Sequence, residues 1–176
     1  PTPAPELSPT PQPSPTALPS SVRLEAPPHE QQDMNNCGPA TLAMYLRYYG
    51  WEGDQHDIAE VVKPLREDRN VNVEELDYYV RNHAGWLNIQ YRVGGTIDDL
   101  KRYLAAGIPV MIEEGTKLEK PYWPGDDQWA GHYLLLTGYD DSTGRFNVID
   151  SYHKEITTVT YEELEENWQA FNHVYI

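Results

Sequence analysis

Residues 32–50 read QDMNNCGPATLAMYLRYYG, and this stretch predicts a helix that begins beside the only cysteine of the chain. Asn35 or Asn36 is placed to cap the helix and Gly50 to end it, because asparagine and glycine favour those positions. Apolar and aromatic residues recur at spacings of three and four, which puts them on one face. The thiol of Cys37 would therefore lie at a helix N-terminus, where unpaired N–H groups and the helix dipole favour the thiolate.

Three more helices are predicted after this one, and strands follow them. The predicted helix starts are Asp54, Asn70 or Asn72, and Thr96, which has Asp99 three residues on in an approximate capping box. Short runs rich in β-branched residues then predict strands over 108–114, 132–139, 145–150 and 156–160. A helix is predicted over 161–171 and a last strand over 173–176. Residues 140–144 have turn composition, so 132–139 and 145–150 should pair as a hairpin. Helices followed by an antiparallel sheet indicate an α+β domain.

The first 28 residues differ from the rest of the chain, because Pro, Ser and Thr dominate them. Proline fixes φ and removes a backbone donor, so this stretch cannot build a packed core. We therefore predict a disordered linker over 1–28 and one folded domain over 29–176. Such a linker would act as a spacer that holds the domain away from a membrane or cell wall.

Charge and composition exclude several classes of function. With 28 acidic and 13 basic residues the formal net charge is -15, which argues against nucleic acid as the main partner. No apolar run approaches the roughly 20 residues that span a bilayer, so no integral membrane segment is expected in this chain. One cysteine and scattered histidines give no recognisable metal-ligand spacing, so we expect neither a metal nor a cofactor. The oligomeric state is not predicted.

His132 stands apart from the other five histidines, because it begins the most apolar strand directly after Gly131. The glycine leaves room for a substrate or another side chain beside the ring. In the predicted hairpin, the start of the first strand lies opposite the end of the second, which brings Asp150 next to His132. There the carboxylate would accept the Nδ1–H bond and fix the tautomer of a general base.

Two further features complete the predicted site. Gln31 and Gln32 lie six and five residues before Cys37, and a side-chain amide beside the thiol can donate to a developing oxyanion. Residues 117–131 form a Trp- and Pro-rich segment that leads into the histidine strand. Its aromatic residues would line a substrate cleft or else pack on one another: Tyr122, Trp123 and Trp129.

These motifs resemble those of the cysteine peptidases that trim double-glycine leader peptides from bacteriocins, and in particular their free-standing exported relatives in bacteria. In that family a Gln precedes a Cys-Gly-Pro/Ala-Ala motif on a helix that ends in Tyr-Tyr-Gly. A Gly-His-Tyr strand with a Thr-Gly-Tyr motif comes later, followed by a strand that ends in Asp. The matching residues are Cys37 to Ala40, Tyr48 to Gly50, Gly131 to Tyr133, Thr137 to Tyr139, and Asp150.

The resemblance implies a papain-like fold and a cysteine peptidase that acts on a peptide or protein substrate outside the cell or in the cell envelope. It implies a role for each matching residue. Cys37 would be the nucleophile, His132 the base, Asp150 the orienting acid and Gln32 the oxyanion donor, with Gln31 as the alternative donor. Gly131, Trp129 and Trp123 are the candidate substrate-binding residues.

The chain also departs from that family. Its transporter-linked members carry a membrane domain and an ATPase, which these 176 residues do not contain. Their acidic strand often ends in Asp-Pro, whereas Ser151 follows Asp150 here. A Cys-His-Asp set also serves acyl transferases and transglutaminases, and a peptidase fold can persist as a non-catalytic peptide-binding module. Both remain alternatives to peptide hydrolysis.

Overall fold

A computed structural model describes residues 17–65, 68, 70–121, 124–125, 128–153 and 156–176. These residues form, in chain order, β1 (Ser21–Arg23), α1 (Cys37–Tyr48), α2 (Gln55–Val62), α3 (Val73–His83), α4 (Ile97–Ala105), β2 (Val110–Lys117), β3 (Trp129–Asp140), β4 (Arg145–Asp150), β5 (Thr157–Thr160) and α5 (Tyr161–Trp168), with a 3₁₀ turn (Gln169–Phe171) after α5. The predicted α+β class is confirmed.

Local sequence sets the start of most helices. Asp54, Asn72 and Thr96 each head a complete capping box, in which the cap side chain accepts an N–H three residues on and the acidic residue there accepts the backbone N–H of the cap. The hydroxyl of Thr160 accepts the N–H of Glu163 and caps α5 in the same way. These contacts lie within four consecutive residues, so the sequence predicts the starts at Asp54 and Thr96, and the structure selects Asn72 over Asn70 for α3.

The sheet is antiparallel throughout and centres on β3. One edge of β3 pairs with β2 along most of its length and with β1 at its end, and the other edge pairs with β4. β4 pairs in turn with β5. The predicted hairpin of β3 and β4 is therefore confirmed, with a bulge between Leu136 and Gly138 that shifts its register.

Helices cover the sheet on both faces, so side chains alternate between two cores. α1, α2 and α3 pack on the face that carries Met111, Tyr133, Leu135 and Ile149. α4 and α5 pack on the face that carries Ile112, Leu134, Leu136 and Val148. Among the described helices, none is long and apolar enough to cross a membrane.

Two segments differ from the sequence prediction. β1 lies inside residues 1–28, so the prediction of a disordered linker is wrong for residues 21–23, which pair with the end of β3. Neighbouring contacts hold β1 there, because Tyr139 donates its hydroxyl to the carbonyl of Pro19 and Leu24 donates its N–H to that of Thr137. At the other terminus, Val174 and Ile176 hydrogen-bond to the β2 backbone while Tyr175 bonds Arg92, and the pairing amounts to isolated bridges rather than the predicted strand. Pairing between distant segments decided both outcomes.

Candidate active site

Cys37 is the first residue of α1, and no side chain caps this helix. Asn36 occupies the N-cap position as predicted, but its amide donates to Oε1 of Gln55 at 2.7 Å instead of turning back to the helix. The backbone N–H groups of Cys37 and Gly38 are therefore not covered by a cap. An uncapped helix N-terminus can stabilise negative charge on the thiol and on an oxygen beside it.

The start of α1 is docked directly on β3. Thr41, one turn after Cys37, donates its hydroxyl to the carbonyl of Tyr133 at 3.2 Å. A Cβ on Gly38 would lie 3.3 Å from the Tyr133 ring, so glycine permits this close approach. Because His132 precedes Tyr133, the docking brings the cysteine to the histidine, close enough for Cys37 to raise the pKa of the ring.

His132 and Asp150 form the contact that the hairpin predicted. His132 Nε2 lies 2.7 Å from Asp150 Oδ1, and both side chains are largely buried. The prediction that Nδ1 would make this bond is wrong. The backbone partner of Asp150 is Leu134, so the carboxylate reaches His132 diagonally and meets Nε2. Nδ1 is then the ring nitrogen that the carboxylate leaves available to Cys37.

The two charges stabilise each other strongly. Burial on its own would lower the pKa of His132, but its hydrogen bond with Asp150 and its interaction with Cys37 outweigh burial and raise that pKa to about 10. Burial likewise opposes ionisation of Asp150, yet the bond and charge of His132 hold the pKa of this carboxyl below its usual value. At neutral pH the pair is therefore an imidazolium and a carboxylate.

Three groups that the sequence did not single out hold Asp150 in place. The Tyr152 N–H donates to Asp150 Oδ1 at 2.8 Å, and His153 Nε2 lies 3.7 Å from Oδ2. Nε2–H of His29 donates to the Asp150 carbonyl at 2.9 Å, since a carbonyl oxygen can only accept. His29 is 121 residues away in the chain. No local sequence signal marks this contact.

The two candidate glutamines have different surroundings. The Gln31 amide donates to the carbonyls of Ser151 and Tyr152 at 3.0 and 2.8 Å, so it is committed to holding that backbone. Gln32 instead accepts a 2.9 Å bond at Oε1 from the hydroxyl of Ser151. Its two amide N–H groups are on the other side of the side chain. This arrangement favours Gln32 over Gln31 as the oxyanion donor.

Glu114 is a buried carboxyl next to the histidine. It is the cross-strand partner of His132 in the β2–β3 pair and only 9% exposed. Burial is the main reason that the pKa of Glu114 rises to about 7, with His132 lowering it and Asp150 raising it. A sequence signal could have identified Glu114, because it is an acidic residue within an apolar strand that pairs with the strand of the candidate base.

Lys63 brings a second cation to the cysteine. Its ammonium donates to the carbonyl of Asn35, just before α1. Burial lowers the pKa of Lys63, and this outweighs the opposite effects of Asp68 and Cys37. Lys63 follows α2, so only the packing of α2 on α1 places it there.

Gly131 does not open directly onto empty space. A Cβ built on it would lie 3.0 Å from the Phe171 ring and 3.1 Å from Oε1 of Glu113. The sequence left room beside Gly131 for either a substrate or another side chain, and in the structure the side chains of Phe171 and Glu113 lie there. A role for Gly131 in binding substrate stays a prediction.

The aromatic segment before β3 is only partly described. Trp129 is half-buried at the start of β3, and its ring covers Gly115, where a Cβ would lie 2.6 Å from the indole. Tyr122 and Trp123 lie outside the described residues. Whether these aromatic side chains line a substrate cleft stays a prediction.

Two cavities flank this region. One of about 560 Å³ adjoins Asp150 on the α5 side of the sheet and is lined by acidic groups that include Glu114 and Glu163. An apolar one of about 440 Å³ lies between α1, α4 and the C-terminus, and neither Cys37 nor His132 lines it. In the described parts of the chain no cluster of His, Cys, Asp and Glu could hold a metal ion. Cys37 and His132 supply a thiol beside an imidazolium, the pair of groups that nucleophilic catalysis by cysteine uses.

Comparison with known proteins relates the chain to one family. The model of the Peptidase_C39 like family matches residues 23–176. A C39-like peptidase from Bacillus anthracis is 19% identical, with a TM-score of 0.67 over 88% of this chain and 95% of that one. Xylellain, a cysteine protease from Xylella fastidiosa, is 16% identical, with a TM-score of 0.60 over 83% and 81%.

A third solved structure includes a ligand. It is a double-glycine-motif protease from an AMS/PCAT transporter in complex with the leader peptide, 18% identical, with a TM-score of 0.57 over 88% of this chain and 91% of that one. At these identities the likeness shows the fold, which is the papain-like one expected from the sequence. No curated protein is significantly similar in sequence.

Proposed function

This chain belongs to the Peptidase_C39 like family and is a cysteine-type peptidase, and on that basis we propose which residues carry the reaction. Cys37 is the nucleophile, His132 the proton carrier and Asp150 the carboxylate that orients His132. The observation that carries the proposal is one chain of contacts, from the Cys37 thiol through the His132 ring to Asp150 at 2.7 Å.

The reaction follows from the charges of these groups. The Cys37 thiolate attacks the carbonyl carbon of the scissile amide, and the electron pair of the C=O bond moves to oxygen. When the oxyanion collapses, the C–N bond breaks and His132 gives its proton to the leaving amine, which leaves a thioester on Cys37. Water then attacks the thioester while His132 accepts its proton, and the C–S bond breaks to release the acid.

The oxyanion requires donors at the start of α1. The backbone N–H of Cys37 is one, because no side chain caps this helix. The Gln32 amide is the other, since its oxygen is bound by Ser151 and its N–H groups remain for an acceptor. Gln31 is a poorer candidate, because its amide already donates to two carbonyls.

A peptide or protein is the proposed substrate. The similar double-glycine-motif protease was solved with a leader peptide, which supports a peptide ligand for this fold. Hydrolysis rather than acyl transfer is proposed, with water as the acceptor of the acyl group. Product analysis with an added amine distinguishes the two, because a transferase would form the new amide.

We also propose that the enzyme acts outside the cell or in the cell envelope. The proposal rests on the Pro-, Ser- and Thr-rich composition at the start of the chain. Fractionating cells that express the natural gene, with detection by antibody, tests it. Recovery in the cytoplasm alone would overturn it.

Alkylation of Cys37 tests the assembled pair without knowledge of the substrate. Cys37 is the only cysteine, so mass spectrometry of iodoacetamide-treated protein reports a single site. At pH 7 we expect the wild type to react faster than His132→Ala, because the charged His132 ring beside the sulfur favours the thiolate. His56→Ala, which removes an exposed histidine, is the matched control and should react like the wild type.

Peptide hydrolysis must depend on the same residues. Digestion of casein or a peptide mixture should stop in Cys37→Ala and fall steeply in His132→Ala, with folding checked by circular dichroism. If wild type and His132→Ala alkylate alike and Cys37→Ala still digests peptides, the assignment is wrong.

A further inference from the structure

Ser151 makes two hydrogen bonds to Gln32, one from its hydroxyl and one to its carbonyl. It follows the acidic residue Asp150 and is fully buried, with 0% of its surface exposed. Its hydroxyl donates to Gln32 Oε1 at 2.9 Å, and its carbonyl accepts the Gln32 backbone N–H at 2.8 Å. Ser151 therefore hydrogen-bonds to both the main chain and the side chain of Gln32, the proposed oxyanion donor.

The lengths of the contacts indicate the direction of the bond. Thr41 is also fully buried and gives its single hydroxyl proton to the Tyr133 carbonyl, so its 3.4 Å contact with Ser151 Oγ is the weaker one. The shorter contact of the Ser151 hydroxyl, at 2.9 Å, is the bond that it donates to Gln32 Oε1. A hydroxyl that donates selects the carbonyl end of an amide, which turns the N–H end the other way.

The network lies beside the nucleophile. Thr41 is four residues after Cys37 and so sits one turn further along the same side of α1. A chain of side chains therefore runs from the helix that carries the thiol, through Ser151, to the Gln32 amide. The backbone bond from Gln32 to Ser151 already holds these two residues together, so the hydroxyl adds a constraint on the amide itself.

We propose that Ser151 is a positioning residue of the peptidase, whose hydroxyl holds the Gln32 amide with its N–H groups toward the oxyanion. This rests on the proposed function, in which Gln32 is the donor. Ser151 does not touch the reacting atoms. Its effect should therefore appear only in reactions at Cys37 that develop an oxyanion.

Two reagents that attack the same sulfur separate this role from a structural one. Acetyl transfer from p-nitrophenyl acetate to Cys37 passes through a tetrahedral oxyanion and releases p-nitrophenolate, whereas alkylation by iodoacetamide forms no oxyanion. Both rate constants are measured for wild type, Ser151→Ala, Gln32→Ala and the double variant. Cys37→Ala supplies the background, and Thr137→Val, on β3, controls for loss of a buried hydroxyl outside this network.

We expect Ser151→Ala to slow acylation about tenfold, the worth of one hydrogen bond, with alkylation unchanged. Gln32→Ala should slow acylation about a hundredfold, and adding Ser151→Ala to it should cost nothing more, because the amide is already gone. Thr137→Val should acylate like the wild type. Ser151→Thr, which keeps a hydroxyl, should recover part of the rate.

Three results would overturn the inference. The first is an equal fall of acylation and alkylation in Ser151→Ala, which indicates a general disturbance of the site. The second is an unchanged acylation rate in Ser151→Ala, and the third is a further loss of acylation rate when Ser151→Ala is added to Gln32→Ala. If instead the wild type acylates no faster than Cys37→Ala and digests no peptide, the proposed function itself fails and the role of Ser151 falls with it.

Discussion

Asp150 Oδ1 lies 2.7 Å from His132 Nε2, although the backbone partner of Asp150 in the hairpin is Leu134. Because the carboxylate approaches the ring diagonally across the hairpin, it meets Nε2 and leaves Nδ1 for Cys37. It also explains why the imidazole keeps its proton, because both neighbours favour the charged ring. The pH dependence of the enzyme should follow from this contact.

The alkaline limit of activity should lie near the pKa of His132. That pKa is about 10 in the folded protein, so the imidazolium that protonates the leaving amine persists far above the ordinary histidine value of about 6.5. We expect kcat/KM to fall only as the pH approaches 10. A pH profile and an NMR titration of the His132 ring measure it, and an alkaline limit near pH 7 would contradict the prediction.

Asp150→Asn should shift that limit to lower pH. The bond with the carboxylate is the largest influence that raises the pKa of His132, and an amide provides no charge. We expect the alkaline limit to move down by roughly one to three pH units. Asp140→Asn, at the last residue of β3, is the matched control and should leave the profile in place. Equal profiles for wild type and Asp150→Asn would refute the prediction.

Glu114→Gln should stabilise the protein above neutral pH. The pKa of Glu114 is about 7 when folded and about 4.5 when unfolded, so the folded state holds the extra proton between these values. Stability therefore falls as pH rises from about 4.5 to 7, and glutamine removes this fall. We expect the free energy of unfolding to gain ~2 kcal/mol at pH 8 and little at pH 4.5.

Urea unfolding at the two pH values measures the gain from Glu114→Gln. Glu162→Gln, at an exposed acidic residue of α5, is the control and should change stability little at either pH. A gain of the same size at pH 4.5 and pH 8 would show that titration of Glu114 is not its cause.

Thr96→Ala should weaken the fold without weakening the site. Its hydroxyl accepts the N–H of Asp99 and completes a capping box on α4, so alanine should lower the free energy of unfolding by ~1 kcal/mol. Thr96→Ser keeps the hydroxyl and should stay within a few tenths of a kcal/mol of wild type. Alkylation of Cys37 should be the same in all three proteins, and a slower reaction in Thr96→Ala would contradict this separation.

The sequence by itself determined the features that depend on neighbouring residues. Capping boxes at Asp54, Asn72 and Thr96 need only four consecutive residues, and the turn after β3 needs little more. The spacing of the hydrophobic residues along the chain then distinguishes helix from strand. The cysteine at a helix start and the histidine strand paired with a strand ending in Asp150 were therefore predictable, and so was the antiparallel sheet.

Only the tertiary structure decided the contacts between distant segments. It pairs β1 with β3, directs Nε2 of His132 to Asp150, buries Glu114 beside that pair and binds the Ser151 hydroxyl to Gln32 across 119 residues of chain. The physical reason is common to all four. Each depends on register, on the direction of a side chain or on burial between packed elements, and none of these quantities is a property of a short stretch of sequence.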